Sequence, residues 1–293
     1  MELGRVGIWT HHLDAQPAAQ ARESVAEIEE LGYGALWLPE AFSRDPLVSA
    51  ALFLDATERL VLATGIATIY GRDATSMACG QKTLAEAFPG RFLLGLGVSH
   101  VPAIEGMRGH TYGPPLATMR AFLDGMDATP YLAVAPETEP QRVLAALGPK
   151  MLALAAERAS GAHPYFVPVE HTAIAREVLG AGPILAPEQK VVLETDPTAA
   201  RAVARAAMAI YLGLPNYTNN LIRLGFTEDD LAHGGSDRLV DAIVAWGDDA
   251  AIRARIDAHH DAGADHVCIQ VLPPAGVSSP LDHWRRLAPV LLG

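Results

Sequence analysis

The sequence predicts a single-domain (β/α)8 barrel of the TIM type, and three observations predict it. Apolar runs of strand length and helical stretches take turns along all 293 residues, with eight runs of the first kind. Such alternation builds right-handed βαβ units on a parallel sheet. No Gly-x-Gly-x-x-Gly follows the first run, which argues against an open dinucleotide-binding sheet. No low-complexity linker divides the chain, so residues 1–293 are read as one barrel.

Residues 5–10 are the first strand, and residues 16–31 a helix stopped by Gly32. Residues 35–40 are the second strand, followed by a helix over 47–57. The third strand opens at Leu60 with Val61-Leu62-Ala63-Thr64. It then carries Gly65 in mid-run, continues through Ile66-Ala67-Thr68-Ile69, and ends in the polar turn Tyr70-Gly71-Arg72-Asp73. A Gly inside a strand marks a bulge, or a place where something approaches the backbone closely. Packing against a neighbouring helix would use a Gly as well, and the run alone leaves both open. Residues 74–88 are the third helix and 91–97 the fourth strand.

Residues 98–115 lose periodicity and are rich in Gly, Pro and His, the mark of a functional loop. A helix over 115–126 follows, then strand 142–147 and a helix opened by Gly148-Pro149 and running to about residue 159. A helix reading of residues 142–158 competes here. Residues 161–166 are a short strand and 169–179 a helix. Residues 191–194 are the seventh strand. Asp196-Pro197 then caps a helix that continues through residue 211, with further helices near 219, over 236–246 and over 248–260. Residues 266–271 are the last strand, and a helix over 284–292 follows.

Composition narrows the function. The 22 Lys and Arg against 34 Asp and Glu give a formal charge of −12 with no basic stripe, so nucleic acid and anionic membrane are not expected partners. Cys79 and Cys268 lie far apart and form no zinc spacing, which suits a reducing compartment. There is no basic leader with a long apolar stretch and no run of eighteen apolar residues, so a cytoplasmic location is expected.

A barrel of this kind places its chemistry at the C-terminal ends of its strands. Those ends read Trp9-Thr10-His11-His12, Pro39-Glu40, Thr68-Ile69-Tyr70, Gly95-Leu96-Gly97-Val98-Ser99-His100 and Gly161-Ala162-His163. Together they suggest a cavity mouth with aromatic walls, imidazoles and one carboxylate. Adjacent residues of an extended chain point to opposite sides, so one of His11 and His12 at most faces the pocket. No third ligand has a metal-binding spacing, and no metal is expected. Glu40 either caps the next helix or takes part in chemistry. Gly95 and Gly97 either serve packing or let N–H groups approach an anion. His259 and His260 fall on a helix face expected to be solvated. Gly-x-Ser-x-Gly is absent, so no nucleophile of that kind is expected.

Residues 28–40, Leu62-Ala63-Thr64-Gly65-Ile66-Ala67, residues 90–99, Gly148-Pro149-Lys150-Met151-Leu152, residues 161–166 and Ala186-Pro187-Glu188-Gln189 carry a resemblance over nearly the whole chain. The chain resembles the luciferase-like monooxygenase superfamily, and within it the actinobacterial branch of oxidoreductases that use coenzyme F420, a deazaflavin. The resemblance implies a luciferase-like barrel with an insertion loop near its mouth. It implies a non-prolyl cis peptide at Gly65-Ile66 behind the cofactor ring, with Thr64 and Ala67 flanking it. Gly97-Val98-Ser99 and Gly161-Ala162-His163 match the regions that hold the cofactor's side chain and phosphate. Trp9, Thr10 and Glu40 match the ring end, where Trp9, Ile66 and Tyr70 offer flat walls.

Under that resemblance the chemistry belongs to the cofactor, which exchanges a hydride with a small organic substrate. His11 and Glu40 are the candidates for proton transfer. Ala41 stands where some deazaflavin dehydrogenases carry a His, a departure that counts against a sugar-phosphate or simple alcohol dehydrogenase role. FMN in the same pocket would instead support oxygenation, so an FMN-dependent monooxygenase is the alternative. Reduced flavin or deazaflavin would then come from a partner reductase. A non-catalytic cofactor-binding protein is the second alternative. The Ala-rich helices over 47–57 and 74–88 carry few charges and suit pairing into a homodimer.

Overall fold

The computed structural model describes residues 1–273 and 279–293. Its first half alternates as expected: β1 Val6–Trp9, α1 Ala18–Glu30, β2 Ala35–Leu38, α2 Pro46–Leu54, β3 Val61–Thr64, β4 Ala67–Thr68, α3 Ala74–Ala87, β5 Phe92–Gly97, α4 Pro115–Asp127, β6 Arg142–Leu144 and α5 Pro149–Arg158. The second half is β7 Gly161–Ala162, α6 Val169–Leu179, β8 Ile184–Leu185, β9 Glu188–Val192, α7 Pro197–Leu212, α8 Pro215–Arg223, α9 Glu228–Leu231, α10 Asp237–Ile243, β10 Val244–Trp246, α11 Asp249–Asp261, β11 Val267–Val271 and α12 Leu281–Leu291. Side-chain caps start several helices. Asp45 accepts from the N–H groups of Leu47 and Val48 at 2.9 and 3.1 Å, and Asp196 from Ala199 N–H at 2.8 Å.

Among the described residues every strand pairing is parallel, in the order β10-β9-β11-β1-β2-β3-β5-β6-β7-β8, with β4 on β5. β8 and β9 form one strand broken at Ala186-Pro187. Ala186 N–H donates to Ala162 O at 3.0 Å and Glu188 N–H to Pro164 O at 2.9 Å, while Cys268 N–H donates to Pro187 O at 3.1 Å. The sheet therefore curls into a closed barrel of eight positions, sealed by Val6 against Val267. The main core lies between barrel and helices. A smaller one gathers Phe166, Met208, Tyr217 and Leu239 beside the mouth. Among the described residues no helix is long and apolar enough to cross a membrane.

Three expectations need correcting in the second half. The strand expected over 161–166 ends at Ala162, because Pro164 follows and Phe166 adopts a left-handed backbone (φ 59°). The seventh strand starts at Glu188 and not at 191; Glu188, Gln189 and Lys190 look like solvated residues but are each 1 % exposed. The helix expected over 236–246 ends at Ile243, and Val244–Trp246 forms β10, with Val244 opposite Lys190.

A candidate active site at the mouth of the barrel

Trp9 ends β1, and its indole N–H donates to Gly65 O at 2.8 Å. The Gly65-Ile66 peptide is cis and separates β3 from β4. Thr64 pins this break, its hydroxyl donating to Gly95 O at 2.7 Å and accepting from Gly95 N–H at 2.8 Å. Glu40 N–H donates to Ile66 O at 3.2 Å. A Cβ on Gly65 would stand 2.7 Å from Trp9 Nε1, so no larger residue fits under the indole. The bulge read from the mid-strand Gly is therefore present, and Ile66 is turned into a cavity.

That cavity encloses about 310 Å³ above the strand ends. Ile66, Val98, Tyr112, Ala145, Leu147 and Tyr165 supply apolar and aromatic walls. Ser99, His100, Gly148, Asn216 and Arg223 make the polar part of the lining. Gly148 caps α5 with no side-chain cap, and a Cβ on it would lie 3.5 Å from the Arg223 guanidinium. A helix N-terminus beside an arginine suits an anion.

Of the residues singled out from sequence, Ile66, Gly97, Val98, Ser99 and His163 line this cavity. Trp9, Thr64, Gly65 and Ala67 form the backing behind Ile66, and Thr10, Gly161 and Ala162 are buried in the barrel wall. Tyr70 holds the loop that roofs the cavity: its hydroxyl accepts from Gly113 N–H at 2.9 Å, and its ring stacks on Tyr112 at 5.7 Å. His11 stacks on His12 at 4.6 Å and meets Trp9 edge-on at 6.2 Å; burial pushes its pKa down. Glu40 lies outside the lining. Its carboxylate accepts from Thr68 N–H at 2.8 Å and from Arg72 at 3.1 and 3.2 Å, and pairs with Arg108 at 3.5 Å. It ties the ends of the second and third strands to the insertion loop.

His163 is the imidazole at the floor. Its ring lies flat on Trp37 at 4.3 Å, and its Nδ1–H donates to Ala186 O at 2.7 Å. Burial pushes its pKa down to about 4, so the ring is neutral and Nε2 carries a bare lone pair. Among the described residues Nε2 has no hydrogen-bond partner. Such an atom asks for a donor from a bound molecule.

Sequence reasoning missed several residues here. The strand-to-helix turn Ala145–Gly148 lines the cavity, and Gly148-Pro149 was its visible signal. Asn216, Tyr217 and Arg223 come from α8, more than a hundred residues beyond β5, with no local cue. Beneath Tyr165, Lys190 Nζ lies 3.1 Å from Glu188 Oε2, 3.3 Å from Gln270 Oε1 and 3.9 Å from the Tyr165 ring centre. Burial pushes the Glu188 carboxyl up and the Lys190 ammonium down, and the opposite charge of each opposes that shift. His259 is fully buried: Nδ1 meets Thr172 Oγ1 at 2.8 Å and Nε2 meets Gln189 Oε1 at 2.9 Å, so the helix face expected to be solvated is solvated at neither atom.

Comparisons with known proteins bear on the family and the fold. A relative in Mycobacterium tuberculosis, "Putative coenzyme F420-dependent oxidoreductase Rv3520c", is 28 % identical over 327 aligned positions, covering 90 % of this chain and 94 % of that one. An F420-dependent secondary alcohol dehydrogenase solved with an F420-acetone adduct superposes with a TM-score of 0.78 at 14 % identity, over 99 % of both chains. The oxygenating constituent of 3,6-diketocamphane monooxygenase from Pseudomonas putida, solved with FMN, superposes with a TM-score of 0.71 at 16 % identity, over 98 % of this chain and 96 % of that one. Both structures share the fold. The sequence profile described as Luciferase-like monooxygenase matches residues 3–266, and with the barrel and its mouth in place the chain belongs to that family.

Proposed function

We propose that this chain is a coenzyme F420-dependent oxidoreductase that exchanges a hydride with a small organic substrate. The observation that carries the reading is that the cavity lining combines flat apolar walls with the start of α5 and the Arg223 guanidinium. Ile66, Val98, Tyr112 and Tyr165 suit a planar ring, and the α5 N-terminus with Arg223 suits an anionic tail. The unpartnered Nε2 of His163 is a buried acceptor of the kind a ring donor would satisfy. These residues fit a deazaflavin with a phosphate-bearing side chain.

When bound, the deazaflavin supplies two-electron hydride chemistry. The chain's own residues bind, orient and exclude water. Ile66 supports the ring from behind, with the Trp9 N–H on Gly65 O fixing its backbone. Tyr112, held by its hydroxyl on Ser99 O at 3.2 Å, closes one side, and Tyr165 the other. Ser99, Gly148 and Arg223 take the anion.

FMN offers a ring of the same shape, and a neighbour of the same fold holds it. Both side chains carry a phosphate, and the two readings separate beyond it, where coenzyme F420 continues into anionic glutamates and FMN ends. Titration of the protein with coenzyme F420 and with FMN, each oxidised and reduced, tests the proposal. Tighter binding of F420 supports it, and tighter binding of FMN with oxygen uptake overturns it.

A further inference from the structure

Residues 98–114 leave β5, cross the mouth and return to α4. The two ends of this loop meet at the cavity. The Tyr112 hydroxyl donates to Ser99 O at 3.2 Å, and Ser99, His100 and Tyr112 all belong to the lining. The piece between them is bonded to itself. His100 O accepts from the N–H groups of Ala103 and Ile104 at 3.1 and 3.0 Å, and Ala103 O from Arg108 N–H at 3.1 Å. Ile104 O accepts from His110 N–H at 3.0 Å, and the Glu105 carboxylate from Tyr112 N–H at 3.1 Å. Ile104 is the one buried residue of 101–111. A loop with close ends and its own hydrogen bonds is a compact body that moves as a unit.

That body is tied to the barrel at few points. At its ends, His100 Nδ1 meets Asn216 Oδ1 at 3.1 Å, and Gly113 N–H donates to the Tyr70 hydroxyl at 2.9 Å. Between the ends, among the described residues, one polar side chain of 101–111 reaches the rest of the chain. It is Arg108, whose guanidinium lies 3.5 Å from the Glu40 carboxylate and 5.6 Å from the centre of the Phe42 ring. Ser99, where the loop begins, stands in the left-handed region at φ 56°. Gly106 and Gly109 have open space where a Cβ would stand, so no neighbour holds them.

The seat of Arg108 is built without Arg108. Thr68 N–H donates to Glu40 Oε2 at 2.8 Å, and Arg72 grips both carboxylate oxygens at 3.1 and 3.2 Å while also holding Asp45. Glu40 is therefore fixed and its charge compensated whether or not the loop is in place. We propose that residues 101–111 form a flap over the cavity, that Arg108 is its latch and Glu40 its catch, and that release of this ion pair lets the cofactor enter and leave. The proposal rests on the reading of that cavity as the cofactor site.

The other charges around the latch are committed elsewhere. Arg44, Asp45 and Arg72 border the same cleft as Glu40 and Arg108. Arg44 donates to Gln16 O, and Arg72 joins Glu40 to Asp45. Arg108 lies outside the cavity lining, so it acts on the loop and not on the bound molecule. A partly exposed pair of this kind shifts an equilibrium by about two- to fivefold. Entry and exit both require the open flap. Weakening the latch should therefore raise the association and dissociation rates together and leave their ratio nearly constant. Loss of a ligand contact has a different signature, since it acts mainly on dissociation.

The test compares the full-length wild type with Arg108→Gln and Arg108→Lys. In the unloaded protein, amide hydrogen exchange over 101–111 should quicken by about two- to fivefold in Arg108→Gln, with β3 and β4 unchanged. Arg108→Lys keeps the charge and should restore much of the protection. Raised salt should speed exchange of this segment in the wild type and leave Arg108→Gln as it is. Stopped-flow mixing with coenzyme F420 and with FMN should show both rate constants raised by about the same factor in Arg108→Gln, with Kd nearly unchanged. Unchanged exchange overturns the latch. Faster exchange with unchanged binding rates overturns the gate. Faster dissociation with unchanged association makes Arg108 a ligand contact and overturns the proposal as well. If FMN binds and coenzyme F420 does not, the deazaflavin reading falls while the FMN rates decide the gate. If neither binds, the cavity is not the cofactor site and the gate falls with it, while exchange alone decides whether Arg108 holds the loop.

Discussion

A Cβ on Gly97 would stand 2.4 Å from Ile66 Cδ1, closer than any real contact allows. Gly97 closes β5, and Ile66 follows the cis bond that ends the straight part of the third strand. The two residues therefore set the depth of the slot jointly. Gly97→Val should drive the Ile66 side chain into the cavity and weaken F420 binding by about tenfold or more, near 1.4 kcal/mol. Fluorescence titration with a parallel thermal melt checks this. Unchanged affinity would mean that Gly97 serves packing alone.

Arg223 should act on the tail of the cofactor and not on its ring. Arg223→Ala is expected to weaken binding of coenzyme F420 by about tenfold, because a charge-assisted contact is lost. The loss should shrink as salt is raised. Riboflavin, which has a similar ring and no anionic tail, should bind the variant and the wild type alike. An equal effect on both ligands would place Arg223 at the ring.

The Lys190–Glu188 pair inside the barrel should behave as a buried ion pair. Lys190→Met leaves the Glu188 carboxylate uncompensated and should cost about 3–5 kcal/mol. The double change Lys190→Met with Glu188→Leu should recover much of that loss. Urea unfolding midpoints of the three proteins give the comparison. A single variant as stable as the wild type would show that the pair contributes nothing.

Acid should weaken the fold before most carboxylates titrate. Burial lowers His163 and His266 to about 4 and His259 to about 3, from an ordinary 6.5. A folded-state pKa below the unfolded one means that the unfolded chain binds more protons between the two values. The stability these rings contribute is therefore full above 6.5 and is lost as pH falls towards 4. Lowering the pH from about 7.5 to 5.5 should remove roughly 1.3 kcal/mol per ring. Denaturant titrations at the two pH values measure it, and equal stability at both would contradict the burial of neutral imidazoles.

The barrel was legible because its outer helices and inner strands differ in period, and residues 5–97 repeat that contrast cleanly. It blurred where the barrel interior is polar. Glu188, Gln189 and Lys190 occupy a strand in which each is buried and partnered, yet their residue types belong to a surface. His259 deceived for the same reason, since its partners Thr172 and Gln189 lie 87 and 70 residues away. The floor and one wall of the site were readable, because Gly65, Ile66 and Gly97 to Ser99 sit on strand ends that announce themselves. The opposite wall comes from α8, and only the closed barrel brings Asn216 within 3.1 Å of His100.

The central claim is that the cavity is built for a deazaflavin with an anionic tail. Equilibrium binding of coenzyme F420 and of FMN in matched buffer tests it most directly. We expect micromolar or tighter binding of coenzyme F420 and weaker binding of FMN. Preference for FMN, with oxygen consumed in proportion to product, would contradict the claim.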